Sequence, residues 1–166
     1  MSADARALTE LFATASLGSP EKAVGFVMWR VLHRYLRDVD HALAPLDLTH
    51  LQFTTLVMAG WLGRAGEPVT QTELARFADI HPMQVSHMLK ALEAKGMVAR
   101  TRSTSDVRTK HVEVTTAGLA VMRRALPVVI EVQQRVFGEG GSPGGSLLNA
   151  LLHLEESSPS EASNTA

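Results

Sequence analysis

Apolar side chains recur every three or four residues along one stretch near the start of the chain. This spacing predicts a long amphipathic helix that ends near Pro45. Ser19 as N-cap and Pro20 as the first helical residue are the expected start of that helix. The apolar stripe is broad for a single helix in a small protein, so we expect a second copy of the chain to cover it. The stripe consists of Val24, Val27, Met28, Val31, Leu32, Tyr35, Leu36, Val39 and Leu43.

Two capping boxes mark the starts of the next two helices. Thr49 is followed by Gln52, and Thr70 is followed by Glu73, each at the spacing at which two side chains can cap a helix start reciprocally. The second of these helices is short and covers residues 71–78. Each box also lies within a pair of apolar residues placed as a hydrophobic staple, namely Leu48 with Phe53 and Val69 with Leu74.

A tight turn and a fourth helix follow directly. Residues 79–81 form the turn, Pro82 is the expected first residue of a helix that runs to residue 95, and Gly96 is its expected left-handed cap. The arrangement of helix, turn and helix is that of a helix-turn-helix. On the fourth helix Val85, Met88, Leu89 and Leu92 share one face, while the other side carries Met83, Gln84, Ser86, His87, Lys90 and Ala94.

Residues 98–102 and 110–114 alternate between apolar and polar side chains, which predicts a β-hairpin with a long tip. Thr115 or Thr116 then caps a long helix that we expect Pro127 to kink. A short helix containing five leucines follows. The pattern as a whole predicts a mainly α fold with a small β-hairpin wing. Its expected divisions are an N-terminal extension with a short helix (1–18), flanking helical regions (19–48 and 116–155), a central helix-turn-helix with its wing (49–115) and a disordered tail (156–166).

Composition and the absence of certain motifs narrow the classes of function that we expect for this protein. The chain has 166 residues, of which 45% are hydrophobic, and its longest apolar runs fall short of the roughly 18 residues that span a membrane. It contains no cysteine and its start lacks the features of a signal peptide, so we expect a cytoplasmic protein. Catalytic motifs such as HExxH and GxSxG and phosphate-binding glycine loops do not occur, and we therefore expect no enzyme and no cofactor.

Charge is unevenly distributed. Although the net charge of the chain is −1, residues 86–112 contain six basic side chains and only two acidic ones. This basic segment coincides with the fourth helix and the hairpin, and its six basic residues are Lys90, Lys95, Arg100, Arg102, Arg108 and Lys110. Nucleic acid is the first partner to consider for such a segment. A solvated pair of strands rich in Lys and Arg is the alternative.

One run of residues resembles a known family. The winged helix-turn-helix of the multiple-antibiotic-resistance regulator (MarR) family is similar to the run Ser86-x-x-Leu89-x-x-Leu92-Glu93-x-Lys95-Gly96-x-Val98-x-Arg100, followed by Asp106-x-Arg108 and Val112-x-Val114-Thr115-x-x-Gly118. The resemblance implies a bacterial transcription factor, a repressor or an activator, that works as a homodimer. Its flanking helices would form the dimer interface, and its recognition helices would enter successive major grooves of a pseudo-palindromic operator.

The resemblance also implies roles for individual residues. Gln84, His87 and Lys90 would face base edges, Ser86 and Thr72 would contact phosphates, and Arg108 would enter the minor groove, steadied by a salt bridge with Asp106. The basic residues Arg102 and Lys110 beside the wing tip complete the predicted set of DNA contacts. The wing departs from the family pattern at Val107 and Thr109, where a second basic residue is common.

Many members of this family respond to small aromatic ligands. The residues on the relevant helices that would suit an aromatic or anionic ligand are Trp29, His33, His50, Trp61 and Arg123. A metal site is a weaker hypothesis: Asp40 and His41 offer two ligands, but the long helix after the hairpin adds no histidine. A different class of function stays open as the alternative, namely a winged-helix module that binds a protein and has no sequence-specific DNA target.

Overall fold

The computed structural model describes residues 4–102 and 110–157, and the chain divides into two compact units, residues 1–38 and 39–166. The described helices are α1 (Ala5–Ala15), α2 (Val24–Leu43), α3 (His50–Leu62), α4 (Gln71–Phe77), α5 (Pro82–Ala94), α6 (Thr116–Phe137) and α7 (Ser146–Ser157). The described strands are β1 (Val69–Thr70), β2 (Val98–Arg102) and β3 (Lys110–Val114). The predicted class, mainly α with a small wing, is therefore confirmed.

The first unit contains α1 and the greater part of α2. Asp4 caps α1 by accepting a hydrogen bond from the Arg6 N–H at 3.1 Å. The predicted start of α2 is wrong in detail, because Pro20 opens only a 3-10 turn and the side chain of Ser19 makes no capping hydrogen bond. The α-helix begins at Val24 instead.

Both predicted capping boxes are confirmed in the second unit. At the start of α3 the Gln52 N–H donates to Thr49 Oγ1 at 3.3 Å, and the Thr49 N–H donates to Gln52 Oε1 at 3.3 Å. At the start of α4 the Glu73 N–H donates to Thr70 Oγ1 at 3.2 Å, and the Thr70 N–H donates to Glu73 Oε2 at 2.8 Å. These reciprocal bonds satisfy amide groups that a helix start otherwise leaves unpaired.

The predicted hairpin is present, and a third strand extends it. β2 and β3 pair antiparallel from Val98 opposite Val114 to Arg102 opposite Lys110. The two residues of β1 pair with the other edge of β3, so the strand order is β1-β3-β2. A strand of two residues is too short to show a periodicity, and the sequence predicts for Val69 only a role in the hydrophobic staple.

The core of the second unit lies around α3, which packs against α4, α5, α6 and β3. Its fully buried large side chains are Leu43, Leu56, Leu74, Val85, Leu89, Leu92, Val112 and Val132. Thr55 is also fully buried, and its hydroxyl donates to the Leu51 carbonyl at 2.7 Å, which satisfies the group inside the core.

The C-terminal part of the chain consists of α6 and α7. Thr115 caps α6 by accepting from the Gly118 N–H at 3.0 Å, and Pro127 lies inside this helix. α7 continues to Ser157, so residues 156 and 157, the first two of the predicted disordered tail, are helical. The remainder of that tail, residues 158–166, lies outside the described residues. In the described part of the chain, every helix is too short or too polar to cross a membrane.

Candidate nucleic-acid interface

The turn of the helix-turn-helix closes the end of α4. Asp79 adopts the left-handed conformation, with φ 48°, directly after the C-cap residue Ala78. The Ile80 N–H then donates to the Ala75 carbonyl at 3.0 Å, which is the backbone bond of a Schellman motif. Glycine is the usual residue at such a position, but aspartate tolerates it better than most side chains. The chain can therefore reverse here within a few residues and start α5.

The orientation of α5 about its axis is determined by its apolar face. Val85, Leu89 and Leu92 are each 0% exposed, and α5 packs against α3 and α4. Pro82 is the first residue of the helix, as predicted, and His81 is its N-cap, with Nδ1 accepting from the Met83 N–H at 3.3 Å. This cap could not be predicted from the sequence because histidine is not among the usual capping residues.

The opposite face of α5 is open to solvent. Gln84, His87 and Lys90 are exposed, Ser86 is half-buried, and Met83 on the same side is 61% exposed. The exposed groups therefore include an amide, an imidazole and an ammonium, which can all donate hydrogen bonds to base edges. The arrangement agrees with the face that helical periodicity predicts.

Of the other residues predicted to contact DNA, some are described by the structure and some are not. Thr72 is exposed in the first turn of α4, and Lys110 is exposed at the start of β3. Arg102 ends β2 with its backbone opposite Lys110. The wing tip with Asp106 and Arg108, and with it their predicted salt bridge, lies outside the described residues.

Two members of the basic segment are neutralised within the fold. Arg100 Nε lies 3.0 Å from Glu93 Oε2, and Arg100 Nη2 forms a further short contact with the same oxygen. These hydrogen bonds, together with the charge of Arg100, hold the pKa of Glu93 below its ordinary value. Lys95 is paired with Asp47, with Nζ 3.1 Å from Oδ2. The count of basic residues in the sequence therefore overstates the charge that this surface presents to a partner.

The wing and the recognition helix are joined at their bases. Gly96 has φ 68°, and the Met97 N–H donates to the Leu92 carbonyl at 2.9 Å, so the predicted left-handed cap of α5 is confirmed. Thr115 donates through Oγ1 to the Gly96 carbonyl at 2.7 Å and through its N–H to the Met97 carbonyl at 3.1 Å. The base of the hairpin is thus hydrogen-bonded to the residues that directly follow α5.

Two of the residues predicted to contact a ligand lie in the first unit. The rings of Trp29 and His33 have centroids 4.2 Å apart, and the ring of Phe26 stacks on Trp29 with a centroid distance of 6.3 Å. His33 Nδ1 lies 2.7 Å from the Trp29 carbonyl oxygen, and Trp29 is 56% exposed. These residues form an exposed aromatic row along one face of α2.

The other three residues of that set lie in the second unit. His50 Nδ1 is 3.0 Å from Asp40 Oδ2, so its ring already has a partner. The Arg64 guanidinium lies 3.8 Å from the ring centroid of Trp61, and Arg123 is exposed on α6. Within residues 4–102 and 110–157, no three metal-ligating side chains come together.

Residues 48–110 match the sequence model of the MarR family. The HTH-type transcriptional regulator YdcH of Bacillus subtilis is 34% identical over 123 residues, which cover 74% of this chain and 84% of that protein. The HTH-type transcriptional repressor Rv2887 of Mycobacterium tuberculosis is 32% identical over 120 residues, which cover 72% of this chain and 84% of the repressor.

Solved structures agree with this relationship. CouR from Rhodococcus jostii RHA1, crystallised with p-coumaroyl-CoA, superposes with a TM-score of 0.70 at 28% identity and covers 84% of this chain and 93% of its own. A MarR mutant from E. coli in complex with operator DNA shares the fold at 24% identity, with a TM-score of 0.67 and coverage of 81% and 94%. The chain is therefore a member of the MarR family of winged-helix transcriptional regulators, which are DNA-binding proteins and not enzymes.

Proposed function

We propose that the protein is a homodimer that binds a pseudo-palindromic operator and is released from it by a small organic ligand. In each protomer α5 enters the major groove, and the wing of residues 103–109 contacts the adjacent minor groove. The observation that carries this proposal is the burial of one face of α5, since a helix with Leu89 and Leu92 in the core presents its opposite, polar face outward.

The exposed side chains of α5 can distinguish bases. Gln84 can bind adenine through two hydrogen bonds, Lys90 can donate to guanine, and His87 adds a further donor. Ser86 and Thr72 would contact phosphates, as would the basic residues that flank the wing, Arg102 and Lys110. Arg108 would enter the minor groove, steadied by Asp106. Phosphate contacts set the position of the protein, while the contacts of α5 supply the sequence preference.

Exposed apolar surface supports the dimer. The first half of α2 exposes Val24, Met28 and Leu32 at 74%, 48% and 51%, and α7 exposes Leu152 and Leu154 at 44% and 56%. Exposed apolar side chains along a helix of a small protein are typical of an interface. A two-fold dimer would place its recognition helices about 34 Å apart, which is one turn of DNA.

The chemistry of the predicted ligand residues favours a planar aromatic anion. Trp29 and His33 form an exposed aromatic pair, and Trp61 adds a second indole elsewhere in the chain. Arg123 would supply positive charge, and His50 would add a polar ring. The ligand of the related protein CouR, p-coumaroyl-CoA, also combines an aromatic group with negative charge. Binding would shift the dimer toward a spacing of the recognition helices that does not match the operator.

DNA binding is tested first by fluorescence anisotropy with the duplex immediately upstream of the gene, a scrambled duplex and a salt series. We expect tight binding to the upstream duplex alone, with log affinity falling linearly with log salt concentration. Arg108→Ala should cost about 1 to 3 kcal/mol on the upstream duplex. Lys22→Ala removes the same charge from an exposed turn in the first unit and should leave the affinity unchanged.

Two results would contradict the proposal. Equal and weak binding to both duplexes, followed by failure to select any preferred sequence from random DNA, would favour the module that binds a protein. Unchanged operator binding by Arg108→Ala would remove the wing from the interface while leaving the role of α5 intact.

A further inference from the structure

A group of polar side chains joins three helices at the C-terminal end of α5, and we call it the helix junction. Lys95, the C-cap residue of α5, places Nζ 3.1 Å from Asp47 Oδ2 and 3.1 Å from Gln52 Oε1. The same ammonium group donates a short hydrogen bond to the backbone carbonyl of Asp47. Three acceptors use the three N–H donors of the lysine, so this side chain is fully occupied within the protein.

The acceptors of Lys95 are themselves held in place. Asp47 adopts the left-handed conformation with φ 53°, and its N–H donates to the Ala44 carbonyl at 3.0 Å. Gln52 Oε1 also accepts from the Thr49 N–H at 3.3 Å, as part of the capping box of α3. Lys95 therefore binds a turn and a helix start whose backbone is already ordered.

The helix junction continues to the end of α2. The His50 N–H donates to Asp40 Oδ1 at 2.7 Å, and His50 Nδ1 lies 3.0 Å from Asp40 Oδ2. Burial raises the pKa of Asp40, but the hydrogen bonds from the His50 backbone and ring outweigh it and leave that pKa below its usual value. The end of α2, the start of α3 and the end of α5 are thus connected by side chains that lie far apart in sequence.

We infer that Lys95 is a positioning residue that sets the direction of the recognition helix through the helix junction and does not contact DNA. This inference rests on the proposed function. Lys95 belongs to the basic segment of the sequence, yet its side chain is only 25% exposed and faces Asp47 and Gln52, whereas Lys90 on the same helix is exposed. The two lysines therefore have different roles, although their charges and their helix are the same.

The length of α5 explains why its C-terminal end affects the position of its first turn. The helix has 13 residues, and at about 1.5 Å per residue it is about 20 Å long. A tilt of about 5° around its C-terminal end would move its first turn by about 1.7 Å, which is about three times the roughly 0.5 Å width of the range of N–H···O distances. Fixing Lys95 therefore protects the base contacts made near Gln84 and His87.

The side-chain carboxylate of Asp47 is 84% exposed, so its ion pair with Lys95 is weakened by solvent. The better shielded acceptor is Gln52 Oε1, since its hydrogen bond with Lys95 is part-buried. Removing the lysine head group is accordingly the most informative change, and replacing the Asp47 side chain alone should have a small effect.

The test compares Lys95→Met with Lys90→Met in operator binding across a salt series. Methionine keeps most of the side-chain volume and removes the charge and the donors. We expect Lys95→Met to lose about tenfold in affinity with an unchanged salt slope, because no phosphate contact is lost. Lys90→Met should lose affinity through its base contact, and Lys110→Met, at a residue proposed to contact phosphate, should lower the salt slope by about one. Stoichiometric titration with operator DNA gives the active fraction of each variant, so partial unfolding is not counted as weaker binding.

A second measurement uses operators whose half-sites are moved apart or together by one base pair. A recognition helix that is held less firmly should discriminate less between these spacings, so the ratio of affinities should shrink for Lys95→Met and stay the same for Lys90→Met. Lys95→Arg keeps donors and charge and should restore part of the ratio. If Lys95→Met does not fold, Gln52→Ala takes its place, with a loss of a few-fold at constant slope expected.

Three results would overturn the positioning role of Lys95. Wild-type affinity and spacing preference in Lys95→Met, or in Gln52→Ala where it is the variant used, would overturn the positioning role and leave the proposed function standing. A salt slope lowered by about one in Lys95→Met would overturn it too, by making Lys95 a phosphate contact. A wild-type protein without any preference among duplexes would overturn the proposed function and this inference together.

Discussion

The winged helix-turn-helix, residues 49–115, and the N-terminal segment, residues 5–38, stabilise themselves in different ways. The first contains fully buried side chains from three helices and a strand, including Leu56, Leu74, Leu89 and Val112. In the second, every residue is at least partly exposed to solvent, although α2 carries a long apolar stripe. The first region can be stable through its own core, whereas the second has apolar surface that only another surface can cover.

The two regions also differ in how their helices begin. Reciprocal capping boxes start α3 and α4, and each is flanked by buried apolar residues. In the N-terminal segment Ser19 makes no capping hydrogen bond, and the chain forms a 3-10 turn before α2 starts. Helix boundaries are therefore most predictable where a cap and a buried neighbour act together.

The largest expected effect is the loss of core packing in the winged helix-turn-helix. Leu89→Ala removes a side chain that is 0% exposed and should lower the free energy of unfolding by about 2 to 5 kcal/mol, measured by urea denaturation. Leu32→Ala changes a leucine that is 51% exposed, and under conditions where the protein is monomeric it should change stability by less than about 0.5 kcal/mol. Equal losses in both variants would remove the distinction between the regions.

The next effect concerns Gly118, where α6 starts beside the end of the recognition helix. A Cβ at this position would lie 2.0 Å from the backbone carbonyl oxygen of Met97. Gly118→Ala should therefore cost about 1 to 3 kcal/mol, near the upper end because backbone cannot move aside easily. Gly25→Ala is the control, since a Cβ there meets no atom within 4 Å. Thermal unfolding of both variants checks this expectation. A fully stable Gly118→Ala would show that the backbone at Met97 can move away from position 118.

A smaller effect is expected on association through the N-terminal segment. Met28→Glu places a carboxylate in the apolar stripe, at a residue that is 48% exposed, and should raise the dimer dissociation constant about tenfold or more. Arg37→Glu also places a carboxylate on α2, nine residues and therefore half a turn away from Met28 at an exposed position, and should leave association unchanged. Analytical ultracentrifugation at micromolar concentration distinguishes the variants. Unchanged association by Met28→Glu would exclude this stripe from the dimer interface.

The smallest effect is an acid dependence that belongs to the winged helix-turn-helix. Hydrogen bonds from the Thr70 backbone and hydroxyl hold the pKa of Glu73 below its ordinary value of 4.5. Its contribution to stability is therefore fully present above that pH and is lost as pH falls through the lower pKa of the folded state. Glu73→Gln keeps the capping box without a titrating group and should show a shallower loss of stability between about pH 5 and pH 3. Identical acid profiles for both proteins would contradict this account.

Much of the interface could be predicted because its determinants are local. The period of Val85, Leu89 and Leu92 is enough to orient α5, and the turn after α4 requires only a few consecutive residues. The aspartate at position 79 adopts its left-handed conformation inside that predicted turn. By contrast β1 has two residues and depends on pairing with β3, so no periodicity within the chain could show it.

The roles of individual charges could not be predicted in the same way. The sequence places Lys90, Lys95 and Arg100 together in one basic segment, and their positions in the sequence do not show which of them faces a partner. Arg100 pairs with Glu93, seven residues away, and Lys95 pairs with Asp47, 48 residues away. Whether a charged side chain faces a partner or a neighbouring helix depends on packing between elements that are distant in sequence.

The amino-acid sequence alone determined the class of fold, both capping boxes, the exposed face of the recognition helix and the resemblance to the MarR family. These follow from hydrogen bonds and periodicities within a few turns of backbone. Only the tertiary structure decided that β1 extends the sheet, that Gly118 must lie against the Met97 carbonyl and that Lys95 is bound by Asp47 and Gln52. Each of these features is a contact between two segments that are distant in sequence, and such contacts form only when the core brings the segments together.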